Sequence, residues 1–390
     1  MLEAAKKIKD KIISNRRALH QCPELAFDLD RTLKIVMSEL ESFGYKPELC
    51  GKAGVTCTAG RGGKTILLRA DMDALPTKEE TGLPFSSENE NVAHACGHDT
   101  HIAMLLGAAQ LLKRNEDRLK GTVKFMFQPA EEKLAGAADM LANGILENPK
   151  VDAAMTLHIM AGRDYSATGS IIYSPGSATF SADSIRITVK GNDAHGSTPY
   201  LGVDAILVGA QIVVGLQNIL AKEISCTDEA VLIVGKINGG TAENSLAGQC
   251  ELACTTRATT VEMRDFLKKR IKEIAENTAK AFRAEALVEY LYGMPPLVNH
   301  DGLLTELRGY CENLLGAGQV RQEKRLTFAE DFCLVAERVP SVMFILGAGT
   351  PEDGYVNWLH HPSFTIDEEA LPVGAAVFAH CAEQWLLNHS

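Results

Sequence analysis

The sequence predicts an α/β protein: a mainly parallel central sheet flanked by helices, interrupted in mid-chain by a smaller α+β unit. Three observations predict it. Strand-like and helix-like segments alternate through residues 1–179, the rhythm that builds parallel sheets. Near residue 180 the pattern changes to half-buried strands, in which apolar and polar residues alternate. After residue 296 the first rhythm returns. Residues 1–179 and 296–390 therefore read as one discontinuous domain and 180–295 as an insertion. A chain of 390 residues has room for both.

The elements follow in order. Residues 4–20 and 31–43 read as helices, and Val55–Ala59 and Thr65–Ala70 as strands, the second running into Asp71-Met-Asp73. Ile102, Leu105, Leu106, Ala109 and Leu112 give His101–Lys113 helical spacing. Thr122–Gln128 is a strand, Lys133–Gly144 a helix and Val151–His158 a buried strand. In the insertion, Ile185, Ile187 and Val189 alternate with polar residues, and 202–223 reads as a helix. Glu229–Ile237 and Gln249–Arg257 are strands, Val261–Phe282 a helix and 286–292 a strand. This β-α-β-β-α-β order is the ferredoxin-like unit. The strand Ser341–Leu346 and a C-terminal helix, Glu369–Asn388, complete the first domain.

Composition narrows the function. Hydrophobic residues make up 46 % and charged residues 23 %, the profile of a globular chain and not a disordered one. A formal net charge of −11 argues against nucleic acid as a partner, though not against small anionic substrates, because a site field is local. No apolar run approaches the length of a membrane span, and the first twenty residues lack the apolar stretch of a secretion signal. The ten cysteines are scattered, which favours reduced thiols and a cytoplasmic setting over a disulfide framework. Gly62-Gly-Lys64-Thr65 lacks the first glycine of a P-loop, since Thr58 stands there. Gly347-Ala-Gly349 lacks the third glycine of a dinucleotide fingerprint.

Four features could carry chemistry. His94-Ala-Cys96-Gly-His98-Asp99-Thr-His101 offers thiolate and imidazole, the donors that suit zinc-like ions; the alternative is a set of residues that pack or cap the helix. Glu131 and Glu132 follow a buried strand, where open α/β sheets place ligands; alone, they would read as a solvated loop. His158 closes another strand, and His360-His361-Pro362 comes late in the chain. Together these supply Cys, His, Glu, His, His and a spare Glu, enough for two divalent ions and a base.

Arg69-Ala-Asp71-Met-Asp-Ala-Leu-Pro76, His94-Ala-Cys-Gly-His-Asp99, Phe127-Gln-Pro-Ala-Glu-Glu132, Leu157-His158, Gly239-Gly-Thr-Ala-Glu-Asn244 and Glu330-Asp-Phe332 occur in this order along the chain. In these motifs the chain resembles the M20 metallopeptidase family, in particular its amidohydrolase branch. That branch includes hippurate hydrolases, aminoacylases and hydrolases of auxin–amino acid conjugates. The resemblance implies a di-metal catalytic domain interrupted by a ferredoxin-like lid or dimerisation domain. It implies Cys96, His98, Glu132, His158 and His360 as metal ligands, with Cys96 bridging and His361 outside the set. Glu131 matches the general base, which would take a proton from a metal-activated water and pass it to the leaving amine. Asp71 resembles an acid that orients a ligand, although Arg69 stands where much of the wider family has a ligand histidine. His195 is implied to polarise the substrate carbonyl across a dimer interface. Asn244 and Arg257 are implied to bind substrate, the arginine through a carboxylate; the alternative for Arg257 is a structural ion pair.

The expected reaction is hydrolysis of the amide in N-acyl amino acids or similar small conjugates. The alternatives are cleavage of short peptides at the same site and a non-catalytic metal- or ligand-binding protein. The expected cofactors are two divalent ions per chain, zinc or manganese first, cobalt or nickel next. The expected partners are a small substrate and a second copy of the chain, with no nucleic acid and no membrane. Leu246-Ala247, Tyr200 and Cys254-Thr-Thr-Arg257 depart from the family pattern, all within the insertion.

Overall fold

The computed structural model describes residues 1–323 and 325–390. The chain divides into two compact units. The first comprises Met1–Ala178, Val298–Arg325 and Asp331–Ser390, and the second Thr179–Leu297 with Leu326–Glu330.

The first unit is built on an eight-stranded mixed sheet. Its centre is four parallel strands in the order Thr122–Gln128, Thr65–Asp71, Ala153–Met160, Ser341–Gly347. All four are buried along their whole length, so each reads as a continuous apolar run and not as an alternation. The outer strands are mostly antiparallel: Gly54–Gly60 pairs with Thr122–Gln128, and Ile171–Tyr173 with Ser341–Gly347. Helix His98–Arg114 packs against the sheet and against helices Lys9–Gln21 and Leu371–Asn388, which explains why it is buried nearly all round.

Several boundaries differ from the sequence pattern. The expected helix 4–20 breaks into Leu2–Lys6 and Lys9–Gln21, with Ala5 and Ile8 both buried beside the break. The helix expected from Lys133 starts only at Gly136, because Ala130 and Leu134 both adopt positive φ, which no α-helix accommodates. That kink holds Glu131 and Glu132 in a turn just beyond the sheet.

The second unit is a β-α-β-β-α-β fold whose sheet is antiparallel throughout. Its strand order is Glu285–Met294, Ala182–Lys190, Gln249–Ala258, Ala230–Gly239. Ile185, Ile187 and Val189 stand opposite Cys254, Leu252 and Cys250 and form its core with one face of each helix. Asp204 caps helix Ala205–Asn218 by accepting the N–H groups of Ile206 and Leu207, and Thr260 caps Val261–Ala281. By length and composition alone, Ala205–Glu223 could cross a membrane, which corrects the expectation that no apolar run approaches that length. Here Ala205, Val208, Ile212, Leu216 and Ile219 recur at helical spacing and fill the core of this unit.

Candidate functional site

The carboxyl ends of the parallel strands converge on one cluster in the first unit. Thr65–Asp71 delivers Asp71 and Asp73, Thr122–Gln128 delivers Glu131 and Glu132, and Ala153–Met160 delivers His158. Cys96 and His98 sit where helix His98–Arg114 begins. Gly97 between them has φ +81°, and a Cβ there would lie 2.3 Å from Ile159 Cγ2, so only glycine allows this approach. His360 comes from a loop pinned by its N–H to the Ala95 carbonyl at 2.8 Å. It holds φ +69°, an unfavourable conformation for a residue with a side chain.

Two donor sets overlap in this cluster. Cys96, His98 and His158 form one, and Cys96, Glu132 and His360 form the other; within each set the ligand atoms lie within 4.8 Å of one another. Cys96 is common to both. Its Sγ stands 3.6 Å from His158 Nε2. Glu132 Oε1 lies 3.9 Å from His98 Nε2 and 3.6 Å from His360 Nε2. Glu131 is buried beside His98 and Glu132 in a further group. His361 is exposed, and its Nδ1 accepts the Ser363 N–H.

The histidines are oriented for ligation. His98 Nδ1 donates to the Asp73 carbonyl at 2.8 Å, and His158 Nδ1 to the Ile159 carbonyl at 2.7 Å. Each Nε2 lone pair is thereby turned into the cluster. His98 Nε2 is buried with no hydrogen-bond partner among the described residues, a vacancy of the kind a metal ion fills. Burial pushes the His98 pKa down to about 3 and lowers that of His158, so both rings are neutral and able to coordinate. Burial, with Glu132, Glu131 and Asp71, raises the Cys96 thiol well above its usual range. A cation is what would favour the thiolate there. The donor set therefore fits divalent ions by both chemistry and orientation.

The surrounding residues hold these groups in place. The Asp73 carboxylate accepts the N–H groups of Glu131 at 2.8 Å and Glu132 at 3.2 Å, while its carbonyl holds His98. Burial raises its pKa to about 7 against those two N–H groups. Asp71 lies with Oδ2 3.7 Å from His98 Nε2 and accepts from His101 Nδ1 and Arg69. Despite burial, the Arg69 guanidinium and the hydrogen bond from His101 hold its carboxyl well below the usual range. His101 Nε2 accepts the Ile159 N–H at 2.8 Å, so both its nitrogens are occupied. Arg69 bridges Asp71, Gln128 and Asp331, all buried. The sequence reading missed Asp73 and His101 as supporting residues. His101 stands one helical turn after His98, a spacing that could have found it, whereas Asp73 acts on backbone N–H groups and leaves no such spacing.

A buried ion network lies behind helix His98–Arg114. His20 Nδ1 meets Asp99 Oδ2 at 2.8 Å and its Nε2 meets Glu79 Oε1 at 3.1 Å, while Arg16 Nε donates to the same Asp99 oxygen. Burial opposes the charged ring, but Asp99 and Glu79 outweigh it and raise the His20 pKa. With the folded pKa above the unfolded value of about 6.5, this stabilisation is complete below that pH and is lost as pH rises through the folded pKa. The stability difference between wild type and His20→Gln should therefore shrink from pH 6 towards pH 9. Urea unfolding across that range would show it, and a constant difference would contradict the charged form.

The remaining candidates belong to the second unit. His195 lies in the short strand Ala194–His195, paired with Ser245–Leu246, and Gly196 N donates to the Asn244 carbonyl at 2.7 Å. His195 and Asn244 are thus brought together. His195 Nδ1 accepts the Ser197 N–H at 3.1 Å, which leaves the proton on the exposed Nε2 of the neutral ring. Arg257 Nη1 donates to Thr255 Oγ1 and to the Thr256 carbonyl, each at 2.8 Å.

The chain is similar to known proteins over nearly its whole length. Residues 67–384 match the model of peptidase family M20/M25/M40. The chain is 36 % identical over 384 residues to N-acetyl-L-cysteine deacetylase of Bacillus subtilis, covering 98 % of this chain and 89 % of that protein. It is 35 % identical over 378 residues to an IAA-amino acid hydrolase, ILR1-like 6, of Arabidopsis thaliana, covering 95 % and 79 % respectively. Among solved structures, a dinuclear metal-binding M20 peptidase from Bacillus subtilis superposes with a TM-score of 0.84 at 32 % identity, covering 98 % of this chain and 99 % of that one.

Proposed function

Because the chain belongs to peptidase family M20/M25/M40, we propose that its cluster binds two divalent ions and hydrolyses the amide of N-acyl amino acids or similar small conjugates. One observation carries this reading: two overlapping donor sets share Cys96, with the buried acid Glu131 beside them. Cys96, His98, Glu132, His158 and His360 would hold the ions, Cys96 between the two. When bound, the ions polarise the scissile carbonyl and lower the pKa of the attacking water. Glu131 takes the water's proton and delivers it to the leaving nitrogen, so that the amine departs neutral. Asp73 fixes the backbone of both glutamates, and Asp71 holds the side of the site next to His98. As the family resemblance implies, His195 of a second copy of the chain would donate its Nε2–H to the substrate carbonyl across a dimer interface as negative charge develops there. Asn244 would hydrogen-bond the substrate and Arg257 would hold its carboxylate. Thiolate and imidazole favour zinc, with manganese, cobalt and nickel as the other candidates.

The reading is tested by amino-acid release from N-acetyl, N-benzoyl and longer N-acyl amino acids, alongside dipeptides, before and after chelation. Metal-dependent release from a subset of the acyl amino acids is expected. Release from dipeptides alone would move the assignment to peptidase chemistry on the same site.

We also propose that the second unit joins two copies of the chain. Its edge strand Ala230–Gly239 pairs on one side only and exposes Val231, Ile233 and Ile237, and helix Ala205–Asn218 exposes Ile206, Leu207 and Val214. Light scattering should give the mass of two chains for wild type and of one for Ile233→Glu. A wild-type monomer would overturn the proposal. None of the ten cysteines forms a disulfide, which supports a reducing, cytoplasmic setting.

A further inference from the structure

Of the proposed histidine ligands, one lacks the support that the others have. His98 and His158 are each turned into the cluster by an Nδ1 hydrogen bond to a backbone carbonyl. The His360 ring makes no such bond among the described residues; its Nε2 faces Glu132 Oε1 at 3.6 Å, and its side chain is 54 % exposed. What fixes this ring is its backbone. The His360 N–H donates to the Ala95 carbonyl at 2.8 Å. Beyond it, the loop is bound at two points by another segment of the same unit. The Pro362 carbonyl accepts the Glu80 N–H at 2.9 Å, and Ser363 Oγ donates to the Glu80 carbonyl at 3.1 Å. Both backbone polar groups of Glu80 are therefore bonded to the His360 loop.

That second segment has no helix or strand of its own between residues 77 and 91. One carboxylate gives it shape. The Glu79 side chain is only 6 % exposed; its Oε1 accepts the Thr81 hydroxyl and its Oε2 the Ser87 N–H at 2.7 Å. Oε1 also lies 3.1 Å from His20 Nε2, while His20 Nδ1 lies 2.8 Å from Asp99 Oδ2, so the segment is anchored to helix Lys9–Gln21. Against the upward push of burial, hydrogen bonds from His20, Thr81 and Ser87 bring the Glu79 pKa down to about 2, so the anchor is ionised. Charge-assisted bonds of this kind are the stronger ones. At the far end of the segment, the Glu88 N–H donates to the Gln21 carbonyl at 2.9 Å, a second tie to the same helix.

A continuous series of bonds thus runs from His20 through Glu79 and Glu80 to Pro362 and Ser363, which follow His360 closely in its loop. Glu79 and Glu80 are adjacent in the chain, so the seat of the Glu79 side chain sets where the two backbone groups of Glu80 meet that loop. From this geometry we infer that Glu79 is a positioning residue for the ligand His360, and so for the ion that Cys96, Glu132 and His360 would hold. Groups that orient a metal ligand without touching the metal set its affinity by about 10- to 100-fold. His20 is less selective, because it also holds Asp99, the neighbour of His98 in the other donor set. The inference rests on the two-ion reading.

The test titrates the chelated protein with zinc against a competing chelator and reads the affinity of each ion. It compares wild type, Glu79→Ala, Ser363→Ala, His360→Ala and the double variant Glu79→Ala/His360→Ala. Glu79→Ala should weaken one ion by about 10- to 100-fold and leave the other near wild type. His360→Ala should weaken the same ion, and the double variant should lose little more than His360→Ala alone, because both changes act through one ligand. Ser363→Ala should weaken that ion in the same direction by less. Should Glu79→Ala fail to fold, Glu79→Gln and Ser363→Ala carry the same comparison with the same outcomes. Unchanged affinities, equal weakening of both ions, or losses that add to those of His360→Ala would overturn the positioning role while the two-ion reading stands. A wild type that binds fewer than two zinc ions would overturn both.

Discussion

Replacing Glu131 by Gln is expected to lower kcat by about 10²- to 10⁴-fold while the protein still carries two ions. The substitution keeps the shape of the side chain and removes its ability to accept a proton. Glu131 is buried next to His98 and Glu132, but it is outside the two donor sets that share Cys96. Its removal should leave ion content and substrate KM near wild type, and the deficit should appear in the chemical step. Metal analysis together with steady-state kinetics separates these effects. A Glu131→Gln protein that turns over normally would remove the base from the mechanism. One that loses an ion would make Glu131 a ligand.

Replacing Cys96 by Ala should have an effect as large by a different route. Cys96 belongs to both donor sets, so its loss should weaken both ion positions together and bring hydrolysis to background. His158→Ala, which touches one set, should spare the second ion more than Cys96→Ala does. The Cys96 thiol is raised by burial and by Glu132 and Glu131, so uptake of metal must expel a proton. Apparent metal affinity of wild type should therefore climb with pH, and Cys96→Ala should flatten that dependence. A Cys96→Ala protein that keeps exactly one ion at wild-type affinity would mean that the thiolate does not bridge.

How much of this was legible in the sequence follows from the range of each interaction. The buried parallel strands announce themselves as apolar runs, and the second unit as alternation, because both patterns are local and set by burial. Cys96, His98, Glu131, Glu132, His158 and His360 could be listed because thiol, imidazole and paired carboxylate donors fall together in short motifs that resemble one family. Their sharing of Cys96 between two sets is a matter of three-dimensional distance and was available only through family resemblance. The break at Leu134 was hidden, since nothing in Lys133-Leu134-Ala135 resists a helix; the positive φ values belong to the turn that presents the glutamates. Asp73 was hidden for another reason. Its work is done on the backbone N–H groups of residues far along the chain, and such contacts leave no spacing to read. By the family resemblance, Arg69 stands where much of the wider family has a ligand histidine. Its place is explained by Asp71, Gln128 and Asp331, which surround its guanidinium and remove it from the ligand question.

The account depends most on two ions acting together at this cluster. The direct measurement is titration of chelated protein with zinc or manganese while following amino-acid release from a good N-acyl amino acid substrate. Activity should stay near zero without metal and reach its plateau only when two equivalents per chain are bound. Full activity with one equivalent, or undiminished activity in the chelated protein, would contradict the two-metal amidohydrolase.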